Sequence, residues 1–96
     1  MANRTPEQVY ERYLDLTKRA LAKVKVAQSL SVSQRAHAED FLDMAQRYFS
    51  DAQHFHSKGM VAEALAAVSY AHGWLDAGAR IGLFDVGGDS ELFTVD

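Results

Sequence analysis

Residues 60–82 read MVAEALAAVSYAHGWLDAGARIG. At about 100° per residue, Val61, Ala64, Leu65, Val68, Ala71, Leu75, Gly78 and Ala79 form one apolar stripe. A second strip, Ala67, Tyr70, Trp74, Ala77 and Ile81, lies behind it, and only Glu63, Asp76 and Arg80 are charged. A helix that is apolar almost all round is buried on more than one side. The stretch therefore predicts a helix over about 60–82 with packing partners on two faces.

The preceding residues supply partners. Lys58-Gly59 places a cation in a last helical turn and a glycine at its stop. Upstream, Ala38, Phe41, Leu42, Ala45, Tyr48, Phe49, Ala52 and Phe55 follow three-and-four spacing, which predicts a helix over about 33–57. Ser31 and Gln34 stand as a capping box at its start. Further upstream, Thr5, Pro6 and Gln8 have the order of an N-cap, a first helical proline and a capping partner. Val9, Tyr10, Tyr13, Leu14, Leu16, Ala20, Leu21, Val24 and Ala27 then share one side, with the charges on an opposite arc of roughly 160°. A first helix over about 6–28 follows.

Three helices of about 23 residues, ~35 Å each, joined by short connections, pack as sequential antiparallel neighbours. The fold class is all-α: one domain over 1–96, a three-helix up-and-down antiparallel bundle with an irregular C-terminal tail at 83–96. That tail carries Leu83, Phe84, Val86, Leu92, Phe93 and Val95 and is turned by Gly87-Gly88-Asp89. The expectation is that it folds back over the Tyr70, Trp74 and Ile81 strip, or that a second subunit docks there, since exposed aromatic patches are unusual on monomers.

The segment YAHGWLDAGARIGLF (70–84) is similar to the signature of a small archaeal family, domain of unknown function 357. DMAQRYFSDAQHF (43–55), Ser57-Lys58-Gly59 and AEALA (62–66) extend the resemblance, and the LFDV and LFTV segments of the tail resemble the halophile-type members. It covers residues about 10–95. It implies an archaeal origin and a three-helix bundle and carries no established activity. This chain has Met60 where members often place an acidic N-cap.

Composition narrows the function classes. Cysteine is absent, which removes a disulfide framework, a thiolate zinc site and a cysteine nucleophile. The N-terminus lacks the apolar core of a signal peptide, and no apolar run approaches the ~20 residues of a membrane span. The expectation is a cytoplasmic protein with no membrane contact. Net charge is −3; residues 1–30 hold six Lys and Arg against three Asp and Glu, and residues 31–96 hold four against ten. Lys18, Arg19, Lys23 and Lys25 split across a solvated arc with no interleaved aromatics, which speaks against nucleic acid.

One set of residues could carry chemistry. His72, Asp76 and Arg80 stand at i, i+4 and i+8 on one helix, so each can touch the next, and Gly73 leaves a dent beside them. One reading is a polar groove in which Asp76 orients His72 and Arg80 binds an anion, with Asp51 from the second helix as a further member. The other is a structural ladder, because a buried polar group needs a partner whatever the function. No Ser or Cys nucleophile is in reach, so general acid–base work or anion binding is the most the set offers. Arg47 and His54 stand seven apart, a spacing similar to that of HEPN-type RNases, but Tyr48 departs from that pattern. No HExxH occurs, and His54 and His56 point in nearly opposite directions, so neither a metal nor a cofactor is expected.

The function expected from sequence is therefore a non-catalytic protein-interaction or scaffold domain. Its interface would be Tyr70, Trp74, Ile81 and Phe84, taking a homodimer or an unknown protein partner. The alternative is a small-ligand or anion site, nuclease-like if catalytic, around His72, Asp76 and Arg80.

Overall fold

The computed structural model describes residues 3–95. The element order is α1 (Pro6–Lys23), β1 (Lys25–Val26), α2 (Val32–Ser57), α3 (Val61–Arg80) and β2 (Phe84–Asp85). The chain is an all-α bundle. α1 and α2 open on reciprocal capping boxes. Thr5 Oγ1 accepts from the Gln8 amide at 3.1 Å, and the Gln8 side chain accepts from the Thr5 amide at 2.8 Å. Ser31 and Gln34 repeat this at 3.1 and 2.9 Å. Each box satisfies two amides that a helix start leaves without partners.

α2 and α3 end in the same way. Gly59 and Gly82 adopt φ of 75° and 83°. The Met60 amide reaches the Phe55 carbonyl at 3.0 Å, and the Leu83 amide reaches that of Gly78 at 2.9 Å. These are Schellman closures, in which a left-handed residue turns the chain while satisfying the last carbonyls. α3 begins at Met60 without a side-chain cap.

Contacts across the bundle give the topology. Near the start of α1, Tyr10 packs with Ala52 of α2 and with Ala64 and Val68 of α3. Ala20, late in α1, packs with Ala38 early in α2 and Leu75 late in α3. α1 and α3 therefore run parallel, with α2 antiparallel to both. α3 packs extensively on each of the other helices, whereas α1 and α2 barely meet. Ala38, Ala45 and Ala52 are fully buried at seven-residue intervals, so small side chains let α3 come close to α2.

Two boundaries differ from the expectation. α1 stops at Lys23 rather than near Gln28, because β-branched Val24 and Val26 leave the helix and residues 25–26 pair with the tail. Lys25 lies opposite Asp85 and Val26 opposite Phe84, and the Ala27 amide donates to the Leu83 carbonyl at 2.9 Å. Apolar periodicity continued past Lys23, but long-range strand pairing took those residues. α3 spans 61–80 rather than 60–82 because its last two residues form the closing turn.

The tail folds back, though not over the strip expected for it. The β1–β2 bridge aims it between α1 and α3. There Leu83, Phe84, Val86, Leu92 and Phe93 are buried with Ala20 and Leu75. Burying each of these large side chains is worth about 1.5–3 kcal/mol, so the tail is an integral part of the core.

Candidate functional site

His72 sits at the junction of α1, α3 and the tail, about 9% exposed. Its Nε2 lies 2.8 Å from the Leu92 carbonyl, and its Nδ1 lies 3.0 Å from Thr17 Oγ1. A carbonyl only accepts, so Nε2 carries the hydrogen, and in the neutral ring Nδ1 accepts from the Thr17 hydroxyl. Phe93 stacks beside the ring at 6.5 Å. Asp76 Oδ1 stands 3.6 Å from Nε2, but its carboxylate is taken up by the tail. Oδ1 accepts from the Thr94 amide at 2.9 Å and Oδ2 from the Thr94 hydroxyl at 3.1 Å. One turn on, Arg80 is exposed, and no ion pair joins it to Asp76 among the described residues. Asp51 is exposed on α2 and takes no part in the network. The structure thus brings His72 and Asp76 together under the tail and leaves Arg80 and Asp51 apart from them.

Gly73 opens onto the other side of α3. With Tyr70, Trp74 and Ala77 it lines a surface depression of about 180 Å³. A second depression, about 500 Å³, is bounded by Tyr48, Phe55, Glu63, Ala66, Ala67 and Tyr70. The aromatic rings form a ladder along this face. Phe41 meets Trp74 edge-on at 4.9 Å, Trp74 meets Tyr70 at 5.9 Å, and Tyr70 meets Tyr48 at 4.5 Å. Edge-to-face contacts of this kind hold rings in fixed orientations. Tyr70 is 49% exposed and Ile81 65%. Trp74 Nε1 is buried with no hydrogen-bond partner among the described residues. Phe84, expected in this interface, is instead buried, its ring against Gly78 where a Cβ would otherwise stand. The β1–β2 pairing turns it inward.

The family model for a protein of unknown function, DUF357, matches residues 12–84. The chain belongs to the DUF357 family. No curated protein and no solved structure matches it. The matched span of this DUF357 chain includes Thr17, His72 and Asp76 and ends at Phe84, before the tail residues Leu92 and Thr94.

Two groupings in the DUF357 chain were not legible from sequence. The first is the set that engages His72: Thr17 counted as one hydroxyl among helical residues, and Leu92 contributes only a backbone carbonyl. A threonine on the buried side of α1 was the available signal. The second is at the opposite end of the bundle. His56 Nε2 lies 2.7 and 2.8 Å from the two Glu7 oxygens, and the His56 ring stacks on Tyr10 at 4.4 Å. Glu7 is in the first turn of α1, where the helix dipole favours its carboxylate, and His56 is in the last turn of α2. Burial, then the nearby Glu7 carboxylate, push the Tyr10 phenol above its usual value. Among the described residues no cluster of three His, Cys, Asp or Glu could hold a metal ion, and no helix is long and apolar enough to cross a membrane.

Proposed function

We propose that this DUF357 protein is a non-catalytic protein-interaction domain that docks partners on the outer face of α3, around Tyr70, Trp74 and Ile81. The observation that carries this reading is the aromatic ladder, in which half-buried Phe41, Tyr48 and Trp74 hold Tyr70 exposed. Tyr70 borders both apolar depressions and stands 49% exposed, and Ile81 is 65% exposed one turn beyond Ala77, while the tail's apolar residues are buried elsewhere. Apolar surface left open in this way marks interaction sites. The ligand reading draws less support. Both His72 nitrogens are occupied, Asp76 is held by Thr94, and Arg80 and Asp51 are exposed but stand apart from them.

A thermal-shift comparison of wild type and Asp76→Ala against inorganic phosphate, nucleotides and divalent cations tests this. The interaction reading expects no ligand to move either melting curve. A shift in wild type that Asp76→Ala abolishes would overturn it in favour of a ligand site.

A further inference from the structure

We propose that the occupant of the α3 face is a second copy of this chain, its α3 running antiparallel to the first about a two-fold axis. This rests on the interaction reading above and names the partner.

The exposed stripe of α3 is Glu63, Ala66, Tyr70, Gly73, Ala77 and Arg80. These residues alternate steps of three and four, so Glu63, Tyr70 and Ala77 form one seven-residue series and Ala66, Gly73 and Arg80 the other. This is the spacing of a coiled-coil seam. The stripe is also complementary to itself when reversed. About a centre between Ala71 and His72, Glu63 mirrors Arg80, Ala66 mirrors Ala77, and Tyr70 mirrors Gly73. An antiparallel copy therefore sets acid against base at both ends, small against small between them, and ring against glycine at the middle. A two-fold axis repeats each pairing, as an isologous interface requires.

Shape agrees with charge. Tyr70 is the largest exposed side chain of the stripe, held edge-on by Tyr48 and Trp74. The depression over Gly73 is about 180 Å³, and nothing lies within 4 Å of where a Gly73 Cβ would stand. A cavity of about 150 Å³ takes a benzene ring, so the socket is large enough for the phenol of a second Tyr70. Glu63 and Arg80 cannot satisfy each other within one helix, being about 25 Å apart at 1.5 Å per residue. Neither makes an ion pair among the described residues.

Sedimentation equilibrium on the full chain tests the proposal. Wild type is expected to be a dimer. Glu63→Arg or Arg80→Glu alone should weaken it by about tenfold, since each converts two attractive pairs into repulsive ones, and the double variant should restore it. Gly73→Leu should still melt cooperatively as a folded helical chain and lose the dimer. The chain has no cysteine. A mixture of Ala66→Cys and Ala77→Cys proteins should therefore cross-link on oxidation, while neither does so alone. A wild type still monomeric at about 1 mM would overturn the proposal. So would a dimer indifferent to Gly73→Leu and both charge reversals, or an Ala66→Cys protein that cross-links to itself. These outcomes concern the second copy only; the ligand screen at His72 and Asp76 judges the interaction reading separately.

Discussion

His72 Nε2 donates to the carbonyl of Leu92 across 2.8 Å, tying the middle of α3 to the chain's penultimate segment. Twenty residues separate the two, and the bond forms inside the core. The same ring holds Thr17 of α1, so one side chain joins two helices and the tail. Apolar burial supplies most of the tail's attachment, and His72 and Asp76 set its register.

Replacing His72 by Ala strands the buried Thr17 hydroxyl and the Leu92 carbonyl and opens a cavity. The expected loss is about 2–4 kcal/mol. At roughly 4–8 °C per kcal/mol for a domain of this size, the melting midpoint should fall by at least about 8 °C. Circular dichroism melts measure it. Asp76→Ala removes the partly exposed Thr94 anchor and the longer 3.6 Å approach to His72 Nε2, and should cost about 1 kcal/mol.

Gly78 and Gly73 should respond oppositely to alanine. A methyl at Gly78 meets the Phe84 ring, so the clash outweighs alanine's better helix propensity, and a loss of about 1–3 kcal/mol is expected. Within a single chain a methyl at Gly73 meets nothing, so at concentrations too low for a second copy to dock, Gly73→Ala should stabilise the fold by about 0.5–1 kcal/mol. Denaturant titrations of the two variants check the sign of each.

The tail's turn should loosen in acid. The hydrogen bond from Lys23, 2.8 Å away, leads the contacts that hold the Asp89 carboxyl below its ordinary value of 3.8, and the Leu92 and Glu91 amides assist. The unfolded chain therefore takes up this proton at higher pH than the folded one. Its contribution is present above pH 3.8 and is lost as pH falls through the lower folded value. Lys23→Met should flatten this part of the stability–pH curve, read from amide exchange in residues 86–93.

At alkaline pH the sign reverses. Burial favours the neutral Tyr10 phenol, so above pH 10.0 the unfolded chain ionises first and stability declines until the folded value is passed. One of the four tyrosines should titrate late by ultraviolet absorbance, and Tyr10→Phe should remove that step.

Much of the architecture is local in origin. Thr5-Pro6 and Ser31 open helices, and Gly59 and Gly82 close them, because a cap or a left-handed turn depends on only a few neighbouring residues. Seven-residue alanines and the greasy circumference of 60–82 likewise announce close helix packing. The candidate site was legible only in part. The i, i+4 spacing of His72 and Asp76 was visible, but their engagement with Thr17, Leu92 and Thr94 depends on contacts up to 55 residues apart.

By itself, then, the amino-acid order determined three helices, the capping boxes that open the first two, the glycine that closes the second and the presence of excess apolar surface, since periodicity and capping act within a few turns of chain. Tertiary structure alone decided where the tail went. Past the cap at Val24, Lys25 and Val26 paired with Asp85 and Phe84, burying Phe84 against Gly78 and leaving Tyr70 and Ile81 in water. A strand pair spanning some sixty residues is a choice among distant surfaces, and no local pattern encodes which surface the chain covers.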